Sequence, residues 1–107
     1  RPVPFAKAEF GIEGDCYFTD GPTVFKMGGD ELYMTWSGWS INGYAVGVAV
    51  SNSGDIKGPW IQQSEAIWPE NGGHGMVFDS ADGRKIFTLH YPNDKYCEHV
   101  MFTELEI

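Results

Sequence analysis

Cations are scarce in this chain: seven Lys and Arg stand against fifteen Asp and Glu, for a net charge of −8 over 107 residues. Neutralising a phosphate backbone takes clustered Lys and Arg, so no nucleic-acid partner is expected, and an anionic membrane surface is disfavoured by the same sign. Cysteine is nearly absent, with only Cys16 and Cys97. Neither lies in a C-x-x-C pair or among the basic neighbours that redox chemistry or a metal clip requires. No run approaches the roughly 18 consecutive apolar residues of a membrane span, and no charged-then-apolar leader stands at the amino end. Also missing are a helical period, a Ser-His-Asp order and a phosphate loop.

What is present is a repeat. Asp20-Gly21-Pro22-Thr23-Val24-Phe25 opens one unit and Gly73-His74-Gly75-Met76-Val77-Phe78 opens another, each followed by a polar turn and a second strand. Leu32 and Ile86, like Trp36 and His90, are offset by about 54 positions. Short β-branched and aromatic runs punctuated by Gly, Asn, Asp and Pro, repeating at that period, predict an all-β chain of propeller blades. We expect two consecutive four-stranded antiparallel blades, over about residues 15–62 and 68–107. Residues 5–10 are a candidate outer strand or linker, and residues 99–106 supply the third and fourth strands of the second blade. Two blades do not close a ring, since propellers carry about 4–8. The remaining blades must come from elsewhere, and the open strand edges and apolar blade faces should be sticky.

The residues that could carry chemistry are carboxylates, histidines and indoles. Asp20 follows the apolar approach Cys16-Tyr17-Phe18-Thr19 and precedes Gly21-Pro22, a rigid corner in partly apolar surroundings that would raise its pKa. Its other reading is a turn former, because Asp-Gly and Gly-Pro are common loop dipeptides. His74 lies among Gly72, Gly73 and Gly75, where the backbone can approach something closely; its plain alternative is a hydrogen-bonded structural residue. Trp36 and Trp39 fall in a predicted loop after a strand, and Trp68 comes close to His74 in sequence. Each is a sugar-stacking candidate or a packing residue. Trp60 reads as packing, His90 as packing or as a hydrogen-bond partner of Tyr91, and His99 as a solvated strand residue. A Cys16 to Cys97 bridge would close a long loop, worth about 4 kcal/mol; the alternative is two buried thiols in strands.

At these positions the chain resembles glycoside hydrolase family 43, the five-bladed β-propeller enzymes that act on arabinose- and xylose-containing glycans with inversion. The resemblance is carried by Thr19-Asp20-Gly21-Pro22-Thr23-Val24-Phe25-Lys26, Leu32-Tyr33-Met34-Thr35-Trp36-Ser37, Tyr44-Ala45-Val46-Gly47-Val48-Ala49, Gly58-Pro59-Trp60 and Gly72-Gly73-His74-Gly75-Met76-Val77-Phe78. It implies the carboxy-terminal blades of such a catalytic domain. It puts Asp20 where the family has a glutamate as general acid, one methylene longer, with Glu13 or Asp15 as alternative acids or an inactive corner as the remaining option. It puts His74 on the propeller axis, as organiser or as ligand, through water, of a calcium ion; no cofactor is required. The general base and the acid-tuning carboxylate have no counterpart here. The implied substrate is an oligosaccharide of plant polysaccharide, and the implied setting is secreted or periplasmic. The competing reading is a non-catalytic sugar-binding or structural propeller segment that assembles with other chains.

Overall fold

The computed structural model describes residues 17–40 and 43–107, and every regular element in them is a strand. Strands β1 (Asp20–Phe25), β2 (Leu32–Ser40), β3 (Gly43–Ser51) and β4 (Ile61–Gln62) form one antiparallel sheet in that order; β5 (Gly73–Asp79), β6 (Lys85–Tyr91) and β7 (His99–Glu104) form a second. The all-β class and the blade-like sheets are as the sequence predicts. Residues 1–16, with the candidate strand at 5–10, Glu13, Asp15 and Cys16, lie outside the described residues.

Two details differ from the expectation. The second sheet has three described strands, where four are predicted. After β7 the Leu105 N–H donates to the Lys85 carbonyl at 2.9 Å and its side chain is buried in the core. Nor is there a loop around the two tryptophans: β2 runs through Trp36 and Trp39 to Ser40, because β3 pairs with it residue for residue from Leu32↔Ser51 to Ser40↔Gly43.

Strand alternation sorts the side chains. Phe87 and Leu89 of β6, with Val77 and Met101 beside them, face the first sheet and close a core with Val46, Phe25, Ile67 and Trp68. On the first sheet, Thr35, Ser37, Val46 and Val48 share the face turned toward β5, while Trp36 and Ala49 turn the other way and pack with Met34 and Trp60. Polar Thr35, Ser37 and Ser51 are buried in this arrangement.

The register fixes the repeat at 53 residues rather than the 54 suggested by matching Leu32 to Ile86. Asp20↔Ser37, Thr23↔Thr35, Val24↔Met34 and Phe25↔Tyr33 reappear, each 53 residues later, as Gly73↔His90, Met76↔Thr88, Val77↔Phe87 and Phe78↔Ile86. Both hairpins are irregular at the same place, between Asp20 and Thr23 and between Gly73 and Met76. There the backbone turns left-handed, at φ 54° for Gly21 and φ 53° for its counterpart His74. Glycine adopts that conformation freely, whereas a residue with a Cβ is strained by roughly 1–2 kcal/mol. His74 is therefore held against its backbone preference. We predict that His74→Gly is more stable than His74→Ala by about 1 kcal/mol in denaturant unfolding, the relief of strain exceeding glycine's larger unfolded-state entropy. Equal or reversed stabilities would show that the position does not impose the left-handed backbone.

Candidate active site

The two strand openings meet. Asp20 is the first residue of β1, His74 the second of β5, and β5 lies against β1, β2 and β3. The Tyr44 hydroxyl, from the start of β3, donates to Asp20 Oδ2 at 2.8 Å, and His74 Nδ1 lies 3.1 Å from the same oxygen. An ionised carboxylate only accepts, so the Nδ1 nitrogen carries the proton in this contact. On the other side of His74, its backbone N–H donates to Ser37 Oγ at 2.7 Å. One residue is thus fixed at ring and backbone by two strands of the opposite sheet.

Room for this is made by what is missing at Gly73. A Cβ there would lie 2.8 Å from both Ser37 Oγ and the Tyr44 ring carbons, closer than real Cβ contacts come. The Tyr44 ring, only 4% exposed, is lodged between Trp39, tilted at a centroid distance of 4.9 Å, and His90, stacked at 5.7 Å. His90 is oriented in turn by Nε2, 2.6 Å from Asn93 Oδ1, rather than by Tyr91.

The electrostatics correct one expectation. Desolvation does push against Asp20's charge but does not win: the carboxyl is held below the ordinary 3.8, first by the Tyr44 hydrogen bond, with burial the next largest effect and opposing, and then by the His74 charge, the His74 ring hydrogen bond and the Gly21 backbone. Tyr44 moves the other way, pushed up to about 12, first by burial and then by its hydrogen bond to Asp20. It stays a proton-bearing donor across the neutral range, and Asp20 stays an anion. The Asp20 and His74 side chains are 43% and 55% exposed, so water screens the pair and its worth lies in orientation more than in stability.

The indoles are dispersed. Trp39 joins the cluster through Tyr44. Trp36 sits on the other face of β2, where with Met34, Ala49, Trp60 and Gln62 it lines a cleft of about 450 Å³. Trp68 packs on the inter-sheet core, edge-on to Tyr91, and its indole N–H donates to the Glu70 carbonyl at 2.9 Å. Trp60 packs as predicted, its indole N–H donating to Ile56 O. Cys97 is an exposed free thiol in a turn, neither buried nor in a strand, and His99 Nδ1 lies 3.2 Å from its carbonyl oxygen. The Cys16 half of the considered bridge lies outside the described residues.

Two groups of the cluster escape the sequence reading. Tyr44 and Ser37 are ordinary strand residues in sequence; the pairing of β1, β2 and β3 in one sheet brings them to Asp20, and the approach of β5 brings His74 to both Asp20 and Ser37. For calcium the fit is poor. Among the described residues no three His, Cys, Asp or Glu side chains converge, and the cluster offers one carboxylate beside an imidazole, where calcium takes roughly six to eight oxygen ligands. Among the described residues no helix is long and apolar enough to cross a membrane.

No protein-family model and no curated protein sequence matches the chain. Solved structures do. An endo-arabinase from Bacteroides thetaiotaomicron VPI-5482 aligns at 34% identity with a TM-score of 0.84, over 98% of this chain and 37% of that one. A thermostable family-43 glycoside hydrolase aligns at 28% identity and a TM-score of 0.70, over 91% of this chain and 35% of that one. An endo-1,4-β-xylanase, also from Bacteroides thetaiotaomicron VPI-5482, aligns at 22% identity with a TM-score of 0.70, over 95% of this chain and 38% of that one, a likeness that speaks for the fold alone. The chain therefore spans about a third of the length of the enzymes it matches. Shared fold and shared sequence coincide in the first two of these, and on that ground the chain is a fragment of the glycoside hydrolase family 43 type.

Proposed function

We propose that this chain supplies the acid corner of an inverting glycosidase acting on arabinose- or xylose-type linkages, within a five-bladed ring whose other blades lie outside these residues. The observation that carries the proposal is the Asp20 carboxylate at an exposed corner, met at Oδ2 by Tyr44 of its own sheet and by His74 of the other. In this role protonated Asp20 gives its proton to the glycosidic oxygen as that bond breaks. Water attacks the opposite face of the sugar and loses its proton to a base carboxylate roughly 6.5–9.5 Å away. Tyr44 and His74 position the acid, and Trp39 lies at the edge of the same cluster to meet a sugar face. The secreted or periplasmic setting follows from a polysaccharide substrate.

An anionic Asp20 is the wrong protonation state for this step. A second carboxylate within about 4–6 Å would raise it, because two like charges cannot both ionise cheaply. The proposal therefore requires the acid-tuning carboxylate of the missing blades, and the chain on its own is catalytically silent. The low Asp20 pKa also favours the second reading, a sugar-binding or structural segment in which Asp20 is a permanently charged corner.

Three measurements follow. In the 107-residue chain, Tyr44→Phe should raise the Asp20 pKa toward the ordinary carboxylate value, read from its side-chain carbon shift by NMR; an unmoved titration would remove Tyr44 from the positioning role. Asp20 also makes stability pH-dependent. Its folded pKa is depressed, so the contribution is complete above the ordinary 3.8 and is lost as pH falls through the lower folded value. Acid unfolding of Asp20→Asn should lack that component. In the complete polypeptide, Asp20→Asn should slow hydrolysis of arabinan or xylan oligosaccharides by about 10²–10⁴. Aryl glycosides, whose leaving group needs little protonation, should suffer far less. Equal losses on both, or none, would favour the binding reading.

A further inference from the structure

We propose that Asn93, in the loop between β6 and β7, is a positioning residue for the Asp20 corner: it fixes His90, and His90 fixes the Tyr44 ring whose hydroxyl meets the carboxylate. The proposal rests on the reading of Asp20 as the acid and names the loop that sets its geometry.

The contacts form a closed circuit with Tyr44 at its apex. The peptide unit between Asn71 and Gly72 has a partner on each side: its carbonyl accepts from the Asn93 N–H at 2.7 Å, and its N–H donates to the Tyr44 carbonyl at 2.9 Å. From Asn93 the side-chain carbonyl returns to the site, accepting the His90 Nε2–H at 2.6 Å. The His90 ring then stacks on the Tyr44 ring, with 16° between their planes and 5.7 Å between their centroids. Tyr44 is thus held at its main chain and at its ring, and both holds run to Asn93. Stacking by itself leaves a ring free to slide, and the directional hydrogen bond removes that freedom.

The loop is also where the second unit departs from the first. Strand β2 passes to β3 within residues 41–42, whereas β6 passes to β7 through residues 92–98. By the 53-residue register the counterpart of Asn93 is Ser40, whose Oγ donates to the nearby Gly43 carbonyl at 3.1 Å, and the counterpart of His90 is Ser37, which has no ring to stack. The longer loop is anchored at its start. Besides the Asn93 contacts, Asn71 Nδ2 donates to Asp94 Oδ1 at 3.2 Å, and the Cys97 N–H donates to the Asp94 carbonyl at 2.9 Å. Asn71 holds a left-handed φ of 50°, a conformation asparagine tolerates better than most residues. Further along the same loop Tyr96 is 90% exposed, off the circuit.

Asn93→Ala tests this, because it removes the bond to His90 and leaves the main-chain bond to Asn71 in place. In the 107-residue chain it should raise the Asp20 pKa, read from the side-chain carbon shift by NMR, in the same direction as Tyr44→Phe and by less. In a Tyr44→Phe background the same substitution should add nothing, since its effect travels through the hydroxyl. Asn93→Asp keeps an acceptor oxygen for His90 and should titrate close to the unsubstituted chain, and Tyr96→Ala should not move Asp20. An Asp20 titration unmoved by Asn93→Ala overturns the proposal. So does a shift that survives in full without the Tyr44 hydroxyl, or one that Asn93→Asp or Tyr96→Ala reproduces. Hydrolysis is scored separately: in the complete polypeptide Asn93→Ala should lower kcat on arabinan or xylan oligosaccharides by up to about 10², with KM little changed. An Asp20 shift without that loss leaves the positioning standing and removes the acid reading. Hydrolysis that depends on Asp20 while Asn93→Ala leaves its titration unmoved does the reverse.

Discussion

Strand β5 begins closer to its neighbours than any side chain permits, and the site depends on that approach. With no Cβ at Gly73, the Tyr44 ring and Ser37 Oγ occupy the space beside the strand; with none at Gly75, the strand closes on Phe87 and the Thr88 carbonyl. This proximity sets the His74 ring 3.1 Å from Asp20 and its N–H 2.7 Å from Ser37. The left-handed backbone at His74 is tolerated because ring and N–H are both tied down. Close packing at one strand end thus does the work that a folded loop does in many sites.

The charge at Asp20 follows from the same packing. A carboxylate that receives a hydrogen bond from a buried hydroxyl and another from an imidazole is stabilised as the anion. The apolar residues preceding it in sequence contribute little, because Tyr17 and Phe18 are themselves 63% and 48% exposed. Proximity in sequence is a poor guide to the field at a side chain. What matters is which groups reach it through space, here the Tyr44 hydroxyl from its own sheet and the His74 ring from the neighbouring one.

The class of fold was legible because it is written in short-range signals: β-branched alternation in 44–50, glycine turns at 28–29 and 83, and the paired Val-Phe openings. The Asp20 corner and the glycine frame of His74 were legible for the same reason. Tyr44 and Ser37 were not, since their partners lie 24 and 37 residues away and nothing local distinguishes them from other strand residues. Trp36 and Trp39 were misplaced into a loop because Ser37-Gly38 resembles a turn, yet Gly38 pairs with Ala45 in the middle of a ladder. The direction of the Asp20 pKa was lost with Tyr44.

Matching registers also carry a hazard during folding. A chain with two openings of equal spacing can offer β1 to β6 as readily as β5, and backbone hydrogen bonds alone would accept either strand. The side chains would not. In the exchanged pairing Asp20 would replace Gly73 and Pro22 would replace Gly75, the two places where an added Cβ collides with Tyr44 and with the Thr88 carbonyl. The features that assemble the site also keep its two halves from being threaded in the wrong order.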